Sequence, residues 1–266
     1  MKTIFRGLTI VGVFFGIWFL LAQIDYITFF KINKAKSDTE KRVGDIIWDQ
    51  IKMTEDLIIN DSIAKSLDKL LKPLCKENGI VRDSLKVYII KKDEVNAFAL
   101  PDGHLVVYSG LIEASKNEQA LIGVLGHEIA HIENDHVMKK LSKEVGFSVL
   151  MSITTGNNNV GIIKEIMHTL SSTAYDRSLE KEADITSVEY MLKAKIDPAP
   201  FADFLYDMSF DKNFEGALSW ISTHPESEAR AKYILEYIKG KKLEKKKILS
   251  QEEWDGFKKS IVDYEN

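Results

Sequence analysis

The chain has 266 residues, 45% of them hydrophobic, enough to build one domain with a full core. A formal net charge of −4 leaves no global field that would select nucleic acid, so no nucleic-acid partner is expected. The single cysteine, Cys75, excludes an intramolecular disulfide and any cysteine-based zinc site.

At the N-terminus, Lys2 and Arg6 precede an uncharged stretch from Gly7 to Ile24 that includes LTIVGVFFGIWFLLA. As a helix it would reach roughly 27 Å, close to the hydrocarbon thickness of a bilayer. A cleaved signal peptide has the same outline, but Leu20-Leu21-Ala22 makes a poor cleavage site, and the following DYITFFK has the character of an interfacial belt. Residues 1–24 are therefore read as an uncleaved single-pass anchor in contact with membrane lipid. Lys31, Lys34 and Lys36 nearly offset Lys2 and Arg6, so orientation is weakly signalled; the domain that follows is expected on the extracytoplasmic side.

Residues 25–84 read as a helical connector packing on the domain, with Ile46, Ile47, Ile51, Leu57 and Ile58 at helical spacing. From Leu85 the pattern turns to strands. VYII (87–90) and VNAFAL (95–100) are followed by Pro101-Asp102-Gly103 and HLVVY (104–108), so 95–108 reads as a hairpin. Ser115-Lys116-Asn117-Glu118 then has the form of a capping box opening the helix ALIGVLGHEIAHIEN, in which Gly123 and Gly126 thin the helix for close packing. VGFSVLMSITT (145–155) is too short to span a bilayer and reads as a buried or interfacial helix. Residues 162–195 look helical up to Pro198 and Pro200, with further helices near 200–208 and 226–240. Residues 241–266 form a C-terminal helical extension that opens on KKLEKKK.

His127 and His131 lie four residues apart, so on a helix both imidazoles project from one face and can hold one ion. Glu128 beside them completes HExxH, the zinc-hydrolase arrangement in which the histidines are ligands and the glutamate is the general base. A third protein ligand is needed. His136 falls one residue short of the metzincin position, and a helix continuing through it turns its side chain about 180° away from His127. It is read as solvent-facing, or as standing behind the ligands. In YDRSLEKEAD (175–184), Glu180 and Asp184 share a helix face, with Arg177 one turn earlier. Glu180 could reach the metal, Asp184 could accept the free N–H of a ligand histidine, and Arg177 could pair with either carboxylate. By composition alone the same segment also reads as a charged, solvated helix face. His104 and His168 are read as structural.

Four elements in order, NAFALPDGHLVVYSGLI (96–112), NEQALIGVLGHEIAHIENDH (117–136), DRSLEKEAD (176–184) and THPESEAR (223–230), resemble the membrane-associated zinc metallopeptidases related to CAAX prenyl protease and the bacterial heat-shock protease HtpX. They span about half the chain. Asp102, where the family more often has a small residue, and the loop after His136 are the departures. The resemblance implies a mostly helical α+β fold, a zincin-type peptidase domain over 85–240 with a small hairpin at a sheet edge. It implies one Zn2+ held by His127, His131 and Glu180, with Glu128 as base. Asn96, Ala97 and Phe98 would lie on the strand that pairs with an extended polypeptide substrate, unfolded or membrane-proximal. His224 would donate to the oxyanion or fill the open zinc position at rest, and Arg230 would orient that segment. The implied activity is membrane-anchored peptide-bond hydrolysis in protein quality control. A proteolytically silent chaperone that keeps the zinc site, or a secreted peptidase, is the competing reading.

Overall fold

The computed structural model describes residues 33–155, 160–210 and 217–265. The chain forms two compact units, Met1–Thr39 and Glu40–Asn266, and the candidate site lies in the second. The expected anchor at 1–24 lies outside the described residues. Among the described residues, no helix is long and apolar enough to cross a membrane.

Helix α1 (Asn33–Thr54) is followed by α2 (Asp61–Asn78), whose first turn is capped by the Asn60 side chain on the Ser62 and Ile63 amides. Leu67, Leu70, Leu71 and Leu74 form its buried stripe, in the same core as Leu121 and Leu125. Strands β1 (Lys86–Ile90), β2 (Ala97–Leu100) and β3 (His104–Tyr108) make a sheet of order β1-β3-β2. The expected hairpin pairs β2 with β3, from Ala97 opposite Val107 to Leu100 opposite His104, and β1 adds in parallel to β3. The turn needs left-handed backbone at Asp102 (φ 62°) and Gly103 (φ 73°). A side chain at Gly103 would also strike the Ser84 carbonyl oxygen at 2.2 Å. One face of the sheet, through Ala97, Leu105 and Val107, joins the core of α2. The other, through Phe98, Val106 and Tyr108, packs with Val43, Ile47 and Trp48 of α1.

Helix α3 (Ser109–Ala114) leads to α4 (Glu118–Glu133), which carries HExxH. The expected capping box does not form. Asn117 is the cap, accepting from the Ala120 amide, while Ser115 turns back to the Leu111 carbonyl. Glu118 instead binds the amides of Ile248 and Leu249, 2.7 and 2.6 Å away, so its carboxylate ties the C-terminal segment to the core. Beyond α4 come α5 (His136–Leu141), one wide π-type turn at Ser142–Gly146, α6 (Phe147–Thr154), α7 (Val160–Ser172) and α8 (Arg177–Lys193). The stretch 162–195, read as one helical run, is broken at 173–176. Helices α9 (Ala199–Phe210), α10 (Ala217–Thr223), α11 (Ser227–Ile238) and α12 (Gln251–Glu265) complete the described fold, a mostly helical α+β arrangement around a three-stranded sheet.

Helix α4 is buried on nearly every side, packed between α8 and α9. Gly123 permits this: a Cβ there would lie 2.3 Å from Phe201 Cβ of α9, while its carbonyl accepts from Ser187 of α8 at 2.7 Å.

Candidate metal centre

On α4 the side chains of His127, Glu128 and His131 are fully buried, and α8 brings Glu180 and Asp184 against them. His224 reaches the same point from the turn between α10 and α11, fixed by its backbone N–H, which donates to the Trp220 carbonyl oxygen at 2.8 Å. His127, His131, Glu180 and His224 together form one potential metal-holding group.

The distances test whether these residues fit a zinc ion. Tetrahedral zinc with bonds near 2.0–2.1 Å keeps its donors about 3.4 Å apart. His127 Nε2 lies 3.0 Å from His131 Nε2, 3.3 Å from His224 Nδ1 and 3.7 Å from Glu180 Oε2. Glu180 Oε1 lies 3.3 Å from His131 Nε2 and 3.0 Å from His224 Nδ1. Four donor side chains from two helices and a turn thus converge out of solvent, at separations close to those within one coordination shell. The other nitrogens of the two histidines face away from that point: His127 Nδ1 is 2.8 Å from Asp184 Oδ1, and His131 Nδ1 is 3.0 Å from His136 Nδ1. A proton on His127 Nδ1 leaves its Nε2 lone pair directed at the other donors, and the donor set fits a divalent cation of zinc's preferences.

Electrostatics hold the acids ionised. Burial would raise the Asp184 carboxyl, but the charges of Arg230 and His127 outweigh it and bring it down to about 2. Glu180 is likewise held well below the usual range, burial being overcome first by Arg230 and then by His224. Arg230 makes both contacts, with Nη1 2.6 Å from Glu180 and Nε and Nη2 at 2.8 and 2.7 Å from Asp184; the Tyr233 hydroxyl also donates to Asp184. Glu128 is lowered too, burial being offset by His224 Nε2, 3.2 Å from its Oε1. The two α4 histidines diverge. Burial pushes both down, but Asp184 and Glu180 lift His127 to about 9, whereas His131 stays at about 3.

One expectation needs correction. Arg177 does not reach Glu180 or Asp184; its guanidinium, 82% exposed, pairs with Glu226 at 2.5 Å. The residue that grips both carboxylates is Arg230, on α11. Of the two placements expected for His136, the structure shows the one behind the ligands and not the solvent-facing one: α4 ends at Glu133, and left-handed Asp135 (φ 59°) starts a new helix that swings the buried His136 back onto His131. Asn96, Ala97 and Phe98 lie at and beside the sheet edge and are buried, with the Asn96 amide on Ser219 at 2.9 Å. The strand touches the site through its backbone: the Ala99 amide donates to Glu128 Oε2 at 3.0 Å. Sequence reasoning also missed Tyr175, stacked on His131 at 3.9 Å, Trp220, stacked on His224 at 4.2 Å, and Tyr233. Only the spacing of Tyr233, three residues after Arg230 on the same helix, hinted at any of these.

The profile of peptidase family M48 matches residues 62–238, more than half of the chain. The chain is 26% identical over 200 residues to the mitochondrial metalloendopeptidase OMA1 of Arabidopsis thaliana, covering 73% of this chain and 39% of that protein. It is 28% identical over 171 residues to the bovine mitochondrial metalloendopeptidase OMA1, covering 59% and 33%. It is 23% identical over 213 residues to the beta-barrel assembly-enhancing protease of Yersinia pestis, covering 73% and 42%. The match therefore takes in less than half the length of each of these relatives. HExxH on a buried helix, a carboxylate pair from a second long helix and a profile match across all of them lead to one assignment: the chain belongs to peptidase family M48, the zinc metallopeptidases its motifs resemble.

Proposed function

We propose that the protein is a zinc-dependent endopeptidase that holds one Zn2+ per chain through His127, His131 and Glu180. The observation that carries this reading is the convergence of four buried donor side chains beside Glu128. Bound zinc would supply a water of lowered pKa and a Lewis acid for the scissile carbonyl. Glu128 takes the proton of the attacking water and returns it to the leaving amine; the Ala99 amide holds its Oε2 in place. Asp184 and Arg230 keep His127 and Glu180 oriented. An extended polypeptide adds along the β2 edge at Asn96, Ala97 and Phe98, a mode that reads backbone more than side chains.

His224 stands at the fourth corner of the donor set, and its second nitrogen faces the general base. That position supports the resting, self-blocked reading, in which His224 must withdraw before substrate enters. One assay tests base and block together: cleavage of casein by zinc-loaded wild type, Glu128→Gln and His224→Ala proteins. Glu128→Gln is expected to keep one zinc per chain and lose a factor of about 10²–10⁴ in rate, while His224→Ala cleaves faster than wild type. Wild-type cleavage by Glu128→Gln would sink the base assignment, and a slower His224→Ala would make His224 a donor to the oxyanion instead.

The similarity to a beta-barrel assembly-enhancing protease supports action on unfolded or membrane-proximal polypeptides in protein quality control. Polypeptides accumulating in cells that carry Glu128→Gln would identify the substrates, and no difference from wild type would count against the role. The segment at 1–24 is retained as the membrane anchor, with 25–84 as connector, 85–240 as peptidase domain and 241–266 as C-terminal extension. Intact mass of the protein from the membrane fraction checks the anchor; a mass lacking the first 22 residues or so would replace it with a cleaved leader.

A further inference from the structure

His131 differs from His127 in what stands behind it. His127 Nδ1 meets the carboxylate of Asp184. His131 Nδ1 meets another imidazole nitrogen, His136 Nδ1, at 3.0 Å with both rings fully buried. Two ring nitrogens at that distance share one proton, and which of them carries it fixes the tautomer of both rings. If His131 Nδ1 carries it, His131 Nε2 turns a lone pair toward His127, Glu180 and His224. If His136 Nδ1 carries it, neutral His131 must be protonated on Nε2, the atom that faces the donor set. The far side of His136 decides between them. Its Nε2 lies 3.4 Å from Glu182 Oε2, longer than a well-formed hydrogen bond but close enough for the carboxylate to favour a proton there. With Nε2 protonated, neutral His136 has only its Nδ1 lone pair to offer His131.

We propose that His136, biased by Glu182, is a positioning residue for zinc binding: it accepts the Nδ1–H of His131 and so keeps His131 Nε2 free to coordinate. The helix break at Asp135 is what makes this possible. In an unbroken helix the five residues from His131 to His136 would rotate the two side chains about 140° apart. The support is weaker than that of Asp184, because the Glu182 side chain is 55% exposed and its field is screened.

This rests on the zinc reading, and the test separates the two. Zinc affinity is measured by chelator competition for wild type, His136→Phe, His136→Asn and Glu182→Gln, with circular dichroism of each metal-free protein. His136→Phe fills the space without an acceptor and is expected to lose about 10–100-fold in affinity. His136→Asn places an amide oxygen where Nδ1 stood and is expected to remain within a few-fold of wild type. Glu182→Gln, on the surface, is expected to lose about threefold. A folded His136→Phe with wild-type affinity overturns the proposal, as does an Asn variant that falls as far as Phe. If His136→Phe does not fold, the other two decide: near-wild-type Asn with weakened Glu182→Gln supports it, and unchanged Glu182→Gln overturns it. A wild-type protein that binds no zinc would instead remove the zinc reading itself.

Discussion

Asp184 shows what a buried carboxylate requires in this protein. It has no solvent exposure, and its oxygens are met by donors on every side: His127, two nitrogens of Arg230 and the Tyr233 hydroxyl. His104 is the opposite case, a buried histidine kept neutral. Burial and the Lys86 ammonium, 3.0 Å from its Nε2, bring it down to about 4, against about 6.5 when unfolded; Asp102 and Asp45 offset this only in part. The folded form therefore resists protonation more than the unfolded chain does. Its contribution to stability is intact above pH 6.5 and is lost as pH falls from 6.5 toward 4. Between pH 7.5 and 4.5 the wild-type protein should lose about 2–3 kcal/mol that a His104→Phe protein does not. Denaturant unfolding of both at the two pH values measures it, and since zinc leaves both on acidification, the difference isolates His104. Equal losses would show that His104 is not held neutral.

At the scale of elements, α4 works because it is thin where it must be and stops where it must. Gly123 admits the ring of Phe201, and a methyl group there would press on Phe201 Cβ, an atom close to the α9 backbone that cannot swing aside. Gly123→Ala gains about 1 kcal/mol of helix propensity but overpacks the contact, for a net loss of about 1–2 kcal/mol. A denaturant midpoint at or above wild type would mean that α9 yields freely. The stop at Glu133 matters equally, since Asp135 in the left-handed region turns the next residue back on the site. Local sequence specifies the helix and its glycines, but not the stop. IENDH carries neither glycine nor proline, and the conformation at Asp135 is sustained by the burial of His136, Val137 and Met138.

Across the whole molecule, the sheet is covered on both faces, and the candidate site sits where its β2 edge meets α4, α8 and the turn at His224. Pieces whose chemistry is local were legible in the residues alone. HExxH has its meaning within one helix turn, the hairpin follows from alternation around Pro101-Asp102-Gly103, and one cysteine limits what can bind a metal. Glu180 was visible as a candidate, but spacing alone also allowed a solvated face, because Glu, Lys and Asp alternate along that helix. It took the packed chain to show that Glu180 and Asp184 point inward, that Arg230 rather than Arg177 neutralises them, and that His136 backs a ligand. One cause is common to all three. A polar or charged group is tolerated out of water only opposite a partner, and here each partner lies tens of residues away or across a helix break. Periodicity reports which side of a helix a residue occupies, but which element covers that side is set by packing.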